Sequence, residues 1–115
     1  MAKGFLTTHV LDTAKGIPAA GLKIALFRLN GDARVKLAER TTNEDGRTDT
    51  PILPKEEFST GDYELVFEAG EYVGSSSQHP FLTDIPIRFG IDDPDSHYHV
   101  PLLLSPFGYS TYRGS

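Results

Sequence analysis

Three histidines and one arginine are the residues of this 115-residue chain best suited to moving protons and holding charge. His97 and His99 are two apart, so on a strand their side chains point the same way. His9 lies near the start, between Thr8 and Val10, and Arg47 follows Gly46 directly. Unperturbed imidazole titrates near pH 6.5, so small shifts tune it for proton transfer. A guanidinium is planar and always charged, and forks onto a carbonyl or carboxylate. The remaining histidine, His79, stands before Pro80 in a polar loop and reads as exposed.

Four kinds of chemistry fit these residue types. His97 and His99 could supply two metal ligands and His9 a third, although the chain has no cysteine and no HExxH helix. A serine hydrolase triad is a second reading, against which stands the absence of G-x-S-x-G. The third is histidines that only hydrogen-bond, and on periodicity alone it leads, since histidine is of intermediate burial by type. The fourth is a general acid/base pair with an anchoring arginine. Arg47 by itself also reads as a solvated turn residue. The residues alone leave all four standing.

The elements that must position these groups read as short strands. Residues 4–12 form the first, with Thr8 and Val10 on one face and His9 and Leu11 on the other. Residues 13–21 are a loop punctuated by Gly16, Pro18 and Gly21. Residues 22–29 are apolar at nearly every position and predict a central strand. Asn30-Gly31-Asp32 is a hairpin signal, and residues 34–42 return, with Val35 and Leu37 on one face. Asn43-Glu44-Asp45-Gly46 is a turn whose glycine suits a positive φ.

After a connection over 51–61, residues 62–69 alternate as a strand. Residues 71–80 read as irregular, because Gly74 and Ser75-Ser76-Ser77 make a poor helix. Residues 85–91 alternate most cleanly: Ile85, Ile87, Phe89 and Ile91 face in, and Pro86, Arg88 and Gly90 face out. Pro86 suits an edge strand. In the last strand pair, His97, His99, Pro101 and Leu103 share one face, and Tyr98, Val100, Leu102 and Leu104 the other. Ser105-Pro106-Phe107-Gly108 breaks the run before residues 109–113 return. Seven or eight short strands without a long helical period predict an all-β sandwich, with edges open to pairing by another subunit.

Length predicts a single domain over residues 1–115 that buries roughly 65% of its unfolded surface. The absence of cysteine excludes a disulfide framework and a thiolate nucleophile. A formal charge of -5 disfavours nucleic acid as a partner. No apolar run approaches the roughly 18 residues of a membrane helix. No signal peptide is visible, and Arg113-Gly114-Ser115 is not the S-K-L peroxisomal address. A cytoplasmic location is therefore expected.

Three separated segments carry a resemblance. Leu6-Thr7-Thr8-His9-Val10-Leu11-Asp12 with Gly16-Ile17-Pro18-Ala19-Ala20 looks like the opening motif of the 5-hydroxyisourate hydrolases, the enzymatic members of the transthyretin-like family. Thr42-Asn43-Glu44-Asp45-Gly46-Arg47 looks like their TN-x-DGR turn. The segment from His97 to Ser115, HYHVPLLLSPFGYSTYRGS, matches best.

The resemblance implies the transthyretin (prealbumin) sandwich of two four-stranded sheets, with a short helix after the fifth strand that Gly74 and the serines put in question. It implies a homotetramer, a dimer of dimers, whose sites lie in a central channel at the dimer–dimer interface. The implied reaction is hydrolysis of 5-hydroxyisourate to 2-oxo-4-hydroxy-4-carboxy-5-ureidoimidazoline in urate breakdown, with no metal and no cofactor. The implied catalytic residues are His9, Arg47 and His99. Tyr112, Arg113, Gly114 and Ser115 are the implied substrate-binding residues. His97 falls on the first histidine of the HYH motif, which carries no core catalytic role in that family. A non-enzymatic carrier of thyroid-hormone type, using the same channel, is the alternative. Transthyretin-type channels lack the paired histidines and run past the last strand rather than ending in YRGS.

Overall fold

Apolar residues recur at every second position along most of the chain, and each such run becomes a strand with one buried face. The computed structural model describes residues 3–73 and 79–114. Its elements are β1 (Phe5–Asp12), β2 (Ile17–Pro18), β3 (Lys23–Asn30), β4 (Ala33–Thr41), β5 (Gly61–Glu68), α1 (Ala69–Val73), β6 (Asp84–Ile91), β7 (His97–Ser105) and β8 (Gly108–Thr111). They form two four-stranded sheets, ordered β2-β1-β7-β8 and β4-β3-β5-β6. The family of sandwiches expected from the sequence is the one observed.

The core lies between the sheets. Leu6 and Val10 of β1 and Leu102 and Leu104 of β7 meet Ile24, Leu26, Leu65 and Phe67 from the other sheet, all with no exposed surface. Burying one such side chain contributes about 1.5–3 kcal/mol. The alternation leaves Phe5, Thr7, His9 and Leu11 on the outward face of β1. On β7 it leaves His97 and His99 on that same outward face, since Tyr98, Val100, Leu102 and Leu104 are buried. The hydrophobic pattern thus selects which residues face outward.

β1 and β7 pair in parallel, Thr7 opposite His99 and His9 opposite Pro101; every other strand pair is antiparallel. Strand β3 is internal and β6 is an edge, as their sequences predict. Three details differ from expectation. Ile17 and Pro18, placed in a loop, pair with Asp12 and Leu11 as β2. The β3–β4 register shifts between Leu26 and Phe27, which face Ala38 and Lys36, so Leu37 is the extra residue of a bulge. Val35 and Leu37 accordingly remain exposed.

The third difference is α1, which forms over Ala69–Val73 where the sequence reads as strand end and irregular chain. A helix this short does not persist on propensity; contacts hold it. Ala69 is fully buried. The Gly70 N–H donates to the Thr83 carbonyl at 3.0 Å. The Tyr72 hydroxyl donates to Asp12 Oδ2 at 2.8 Å. Gly74, Ser75, Ser76 and Ser77, on which the doubt about this helix rested, lie outside the described residues. Among the described residues no helix is long and apolar enough to cross a membrane.

Candidate active site

The outward face of the β2-β1-β7-β8 sheet gathers the chemistry in successive columns. Arg47 pairs with His9 across an isolated antiparallel bridge on one side of β1. β7 lies on the other side of β1, bringing His99 opposite Thr7. Beyond β7, Gly114 pairs with His99 through a second isolated bridge, its N–H donating to the His99 carbonyl at 2.7 Å. His9 and His99 share a face on adjacent strands, offset by two residues. Strand spacing and rise put their Cα atoms about 8 Å apart, within reach of one planar ring.

Asn43 builds the turn that presents Arg47. Its side-chain oxygen accepts from the N–H of Asp45 at 2.9 Å and of Arg47 at 3.2 Å, an Asx-type arrangement. Its own N–H donates to the Arg47 carbonyl at 2.8 Å. Gly46 has φ 74°, and a Cβ there would collide with the Val10 carbonyl oxygen. Its own carbonyl takes the Val10 N–H at 2.8 Å, docking the turn against β1 one residue from His9. Only glycine permits this approach.

At the other end of the face, a Cβ on Gly114 would sit 2.6 Å from His99 Cδ2. The absence of a side chain at 114 lets the C-terminal segment run beneath the imidazole. His99 is further fixed by the Thr7 hydroxyl, whose Oγ1 lies 2.7 Å from its Nδ1. Sequence reading does not single out Thr7. Its spacing of two from His9 puts it on the same face, but the parallel pairing that sets it against β7 joins residues about ninety positions apart.

Both histidines are pushed toward the neutral form. For His99 the largest cause is desolvation, followed by the positive field of Arg47 and by His97 and His9. For His9 the causes are again desolvation and then Arg47, with the Asp45 carbonyl and carboxylate pulling the other way. Desolvation and a nearby cation both disfavour imidazolium. Arg47, His97 and His99 line a cleft of about 360 Å³ with Thr7, Asp49 and Pro51; His9, bridged to Arg47, is not among its lining residues. Among the described residues no three His, Cys, Asp or Glu side chains are grouped to hold a metal ion.

The sequence-derived site is only partly assembled within one chain. His9, Arg47, His99 and Gly114 share the outward face. Tyr112 and Arg113 line a different cavity of about 230 Å³, between β6 and the β7–β8 pair, with Phe89, Tyr98 and Val100. The Arg113 guanidinium stacks over the Tyr98 ring at 4.0 Å, a cation–π contact that anchors the segment carrying Gly114. Ser115 lies outside the described residues.

Comparison with known proteins locates this architecture. Residues 6–114 match the profile of the HIUase/Transthyretin family. The chain is 61% identical over 116 aligned positions to a protein of Rhizobium meliloti named 5-hydroxyisourate hydrolase 2, covering 97% of each. It superposes on a crystal structure of (S)-allantoin synthase with TM-score 0.90 at 51% identity, covering 99% of this chain but only 44% of that one. It also superposes on sea bream transthyretin in complex with thyroxine, with TM-score 0.85 at 27% identity, covering 95% of this chain and 93% of that one. By profile match and by full-length identity, the chain belongs to the HIUase/Transthyretin family.

Proposed function

We propose that the chain is a 5-hydroxyisourate hydrolase, opening a ring amide of that oxidised purine with water. The carrying observation is the set of columns on one sheet face: Arg47, His9, His99 and Gly114, with both imidazoles held toward neutrality. The fold does not discriminate, since a thyroxine-binding transthyretin shares it. The side chains do. Two neutral imidazoles and a guanidinium suit proton transfer and charge stabilisation rather than passive binding. The close identity to a protein named as this hydrolase supports the same reading.

In the mechanism, His99 or His9 takes a proton from water as its oxygen attacks the ring carbonyl. The proton taken from water is then delivered to the ring nitrogen as the C–N bond breaks, relayed through the other imidazole, which accepts it at one nitrogen and gives up the proton on its other. Arg47 orients the ring and stabilises the developing oxyanion through its forked donors. No metal or organic cofactor is required for these steps. Gly114 leaves space beside His99, and the Ser115 hydroxyl adds a donor at the segment's end. Tyr112 and Arg113 hold that segment against β7, and through it border the substrate.

The proposal includes a homotetramer, a dimer of dimers, whose association closes the open cleft into a channel. Support comes from β6 and β8, each of which lies at the edge of its sheet, and from apolar side chains left on the surface. Ile17 is 49% exposed and Phe107 is 79% exposed, both beside the histidine-bearing sheet. Neither nucleic acid nor membrane enters this reading, and the location proposed is the cytoplasm. The test is the decay of near-ultraviolet absorbance of freshly made 5-hydroxyisourate, wild type beside Arg47→Ala. Wild type at micromolar concentration should outpace the spontaneous decay and Arg47→Ala should not. Wild type failing to do so, with thyroxine binding instead, reverses the assignment.

A further inference from the structure

His97 has no role in the hydrolytic reading, yet it is wired to the residue that does. Thr7 Oγ1 lies 2.6 Å from His97 Nε2 and 2.7 Å from His99 Nδ1. The register makes this bridge possible: Phe5 and Thr7 on β1 stand opposite His97 and His99 on β7. The His97 ring is pinned by stacking on Phe5, with centroids 4.2 Å apart and planes within 12°. The two imidazoles sit 6.0 Å apart, with the hydroxyl between them.

A hydroxyl carries one proton. It can donate to only one of two ring nitrogens, and must accept from the other if both bonds are made. When His97 Nε2 is bare, Thr7 donates to it and accepts from His99 Nδ1–H. His99 then presents a bare Nε2, the form that can take a proton from water. When His97 is protonated, its Nε2–H donates to Thr7, and Thr7 turns to donate to His99 Nδ1. The proton of His99 then sits on Nε2, and the base is blocked.

We propose that Thr7 is a positioning residue for hydrolysis, its single hydroxyl fixing the tautomer of His99 and coupling it to the protonation of His97. This rests on His99 being a proton-transfer group in the reaction proposed above. The wiring makes the exposed His97 an outer sensor whose state is read at a partly buried base. The titratable and charged groups facing His99 are Arg47, His9 and His97. Asp49 lines the same cleft, and Lys55 and Glu56 line a pocket with Phe5, the ring stacked on His97.

The experiment measures kcat/KM against pH for wild type, Thr7→Val, Thr7→Ser, His97→Phe and His99→Ala, with histidine ¹⁵N spectra on each. Thr7→Val keeps the β-branched shape and removes only the hydroxyl. It should lower kcat/KM about tenfold, the worth of one hydrogen bond. It should also turn the His99 spectrum from one tautomer to a mixture. Thr7→Ser should restore most of the loss and the single tautomer. His97→Phe retains the stack on Phe5 and should move the acidic limb of the profile to lower pH.

A Thr7→Val enzyme with wild-type profile and a single His99 tautomer would overturn the proposal. So would a His97→Phe profile superimposable on wild type. Should His99→Ala keep full turnover, the hydrolytic role of His99 itself is lost, and this inference with it. An inactive His99→Ala beside an unaffected Thr7→Val removes the Thr7 inference alone.

Discussion

On the outward face of the β4-β3-β5-β6 sheet, Glu64 is 3% exposed and paired with two arginines. Arg34 Nη1 donates to one of its oxygens at 2.7 Å and Arg88 Nε to the other at 2.9 Å. Arg34 also lies over the Phe27 ring at 4.0 Å. On the outward face of the β2-β1-β7-β8 sheet, Arg47 has no carboxylate within ion-pairing distance among the described residues. Around it sit imidazoles driven toward neutrality. One face spends its arginines on a buried carboxylate; the other keeps its arginine free beside groups that can change charge. Desolvation pushes the Glu64 carboxyl up, but hydrogen bonds from Arg34 and Arg88 outweigh it and hold it below the usual range. Desolvation at His99 meets no such partner, at His9 it meets only the lesser pull of Asp45, and at both Arg47 adds to it. Burial with compensation makes structure, and burial without it makes a site.

The sharpest separation of the two faces is by substitution on each. His9→Ala or His99→Ala should lower kcat on the order of 10²–10⁴-fold, while the urea midpoint stays close to wild type. Removing both Arg34 and Arg88 should do the reverse. It strands the Glu64 carboxylate, and breaking a buried pair costs about 3–5 kcal/mol. Loss of the arginine stems lets water reach the carboxylate, so about 2–3 kcal/mol is expected by urea unfolding. Activity per folded molecule should remain. A double variant that loses activity without losing stability would break the division of labour between the sheets.

Gly114→Ala tests the packing under His99 rather than its chemistry. The new Cβ would meet His99 Cδ2 at 2.6 Å, so either the ring or the terminal segment must move. Catalytic geometry tolerates little displacement, and a loss of roughly ten- to hundredfold in kcat/KM is expected. Residues 109–114 contribute no side chain to the buried core, so the melting temperature should hardly change. Unaltered kinetics would show that His99 has room the structure does not give it.

Much of this was legible in the sequence, and the rest was hidden for definable reasons. The alternation of Ile85, Ile87, Phe89 and Ile91, and the apolar run of β3, gave an edge strand and an internal one, because burial alone dictates them. The pair His97 and His99 announced a shared face through its spacing of two. Thr7 against His99 was invisible, because it depends on a parallel pairing between the two ends of the chain. α1 was expected from the resemblance but not from local propensity, because its stability lies in a tertiary bond from Tyr72 to Asp12. Arg113 was grouped with the cleft by resemblance, and its stacking on the ring of Tyr98 could not be read from spacing.

The smallest expected effect, and the finest separation of the two faces, comes from pH. A histidine whose folded pKa lies below 6.5 binds fewer protons folded than unfolded between those two values. Stability therefore rises with pH across that window, and falls as the solution is acidified through it. Glu64 has its folded pKa below 4.5, so its contribution is complete above 4.5 and is lost only as pH falls through the folded value. Acidification from pH 7 should thus reach the histidine face first. Activity should drop only below pH 6.5, roughly tenfold per unit once the base is protonated, with a slight decline in the urea midpoint. The cooperative collapse belongs to a second step, below pH 4.5, when the arginines lose their carboxylate. Urea titrations and kcat/KM measured on the same samples at half-unit intervals would resolve the two steps. In Arg34→Ala with Arg88→Ala the Glu64 part of the second step should disappear, because desolvation alone then raises its folded pKa and protonation no longer costs stability, while the first stays where it is.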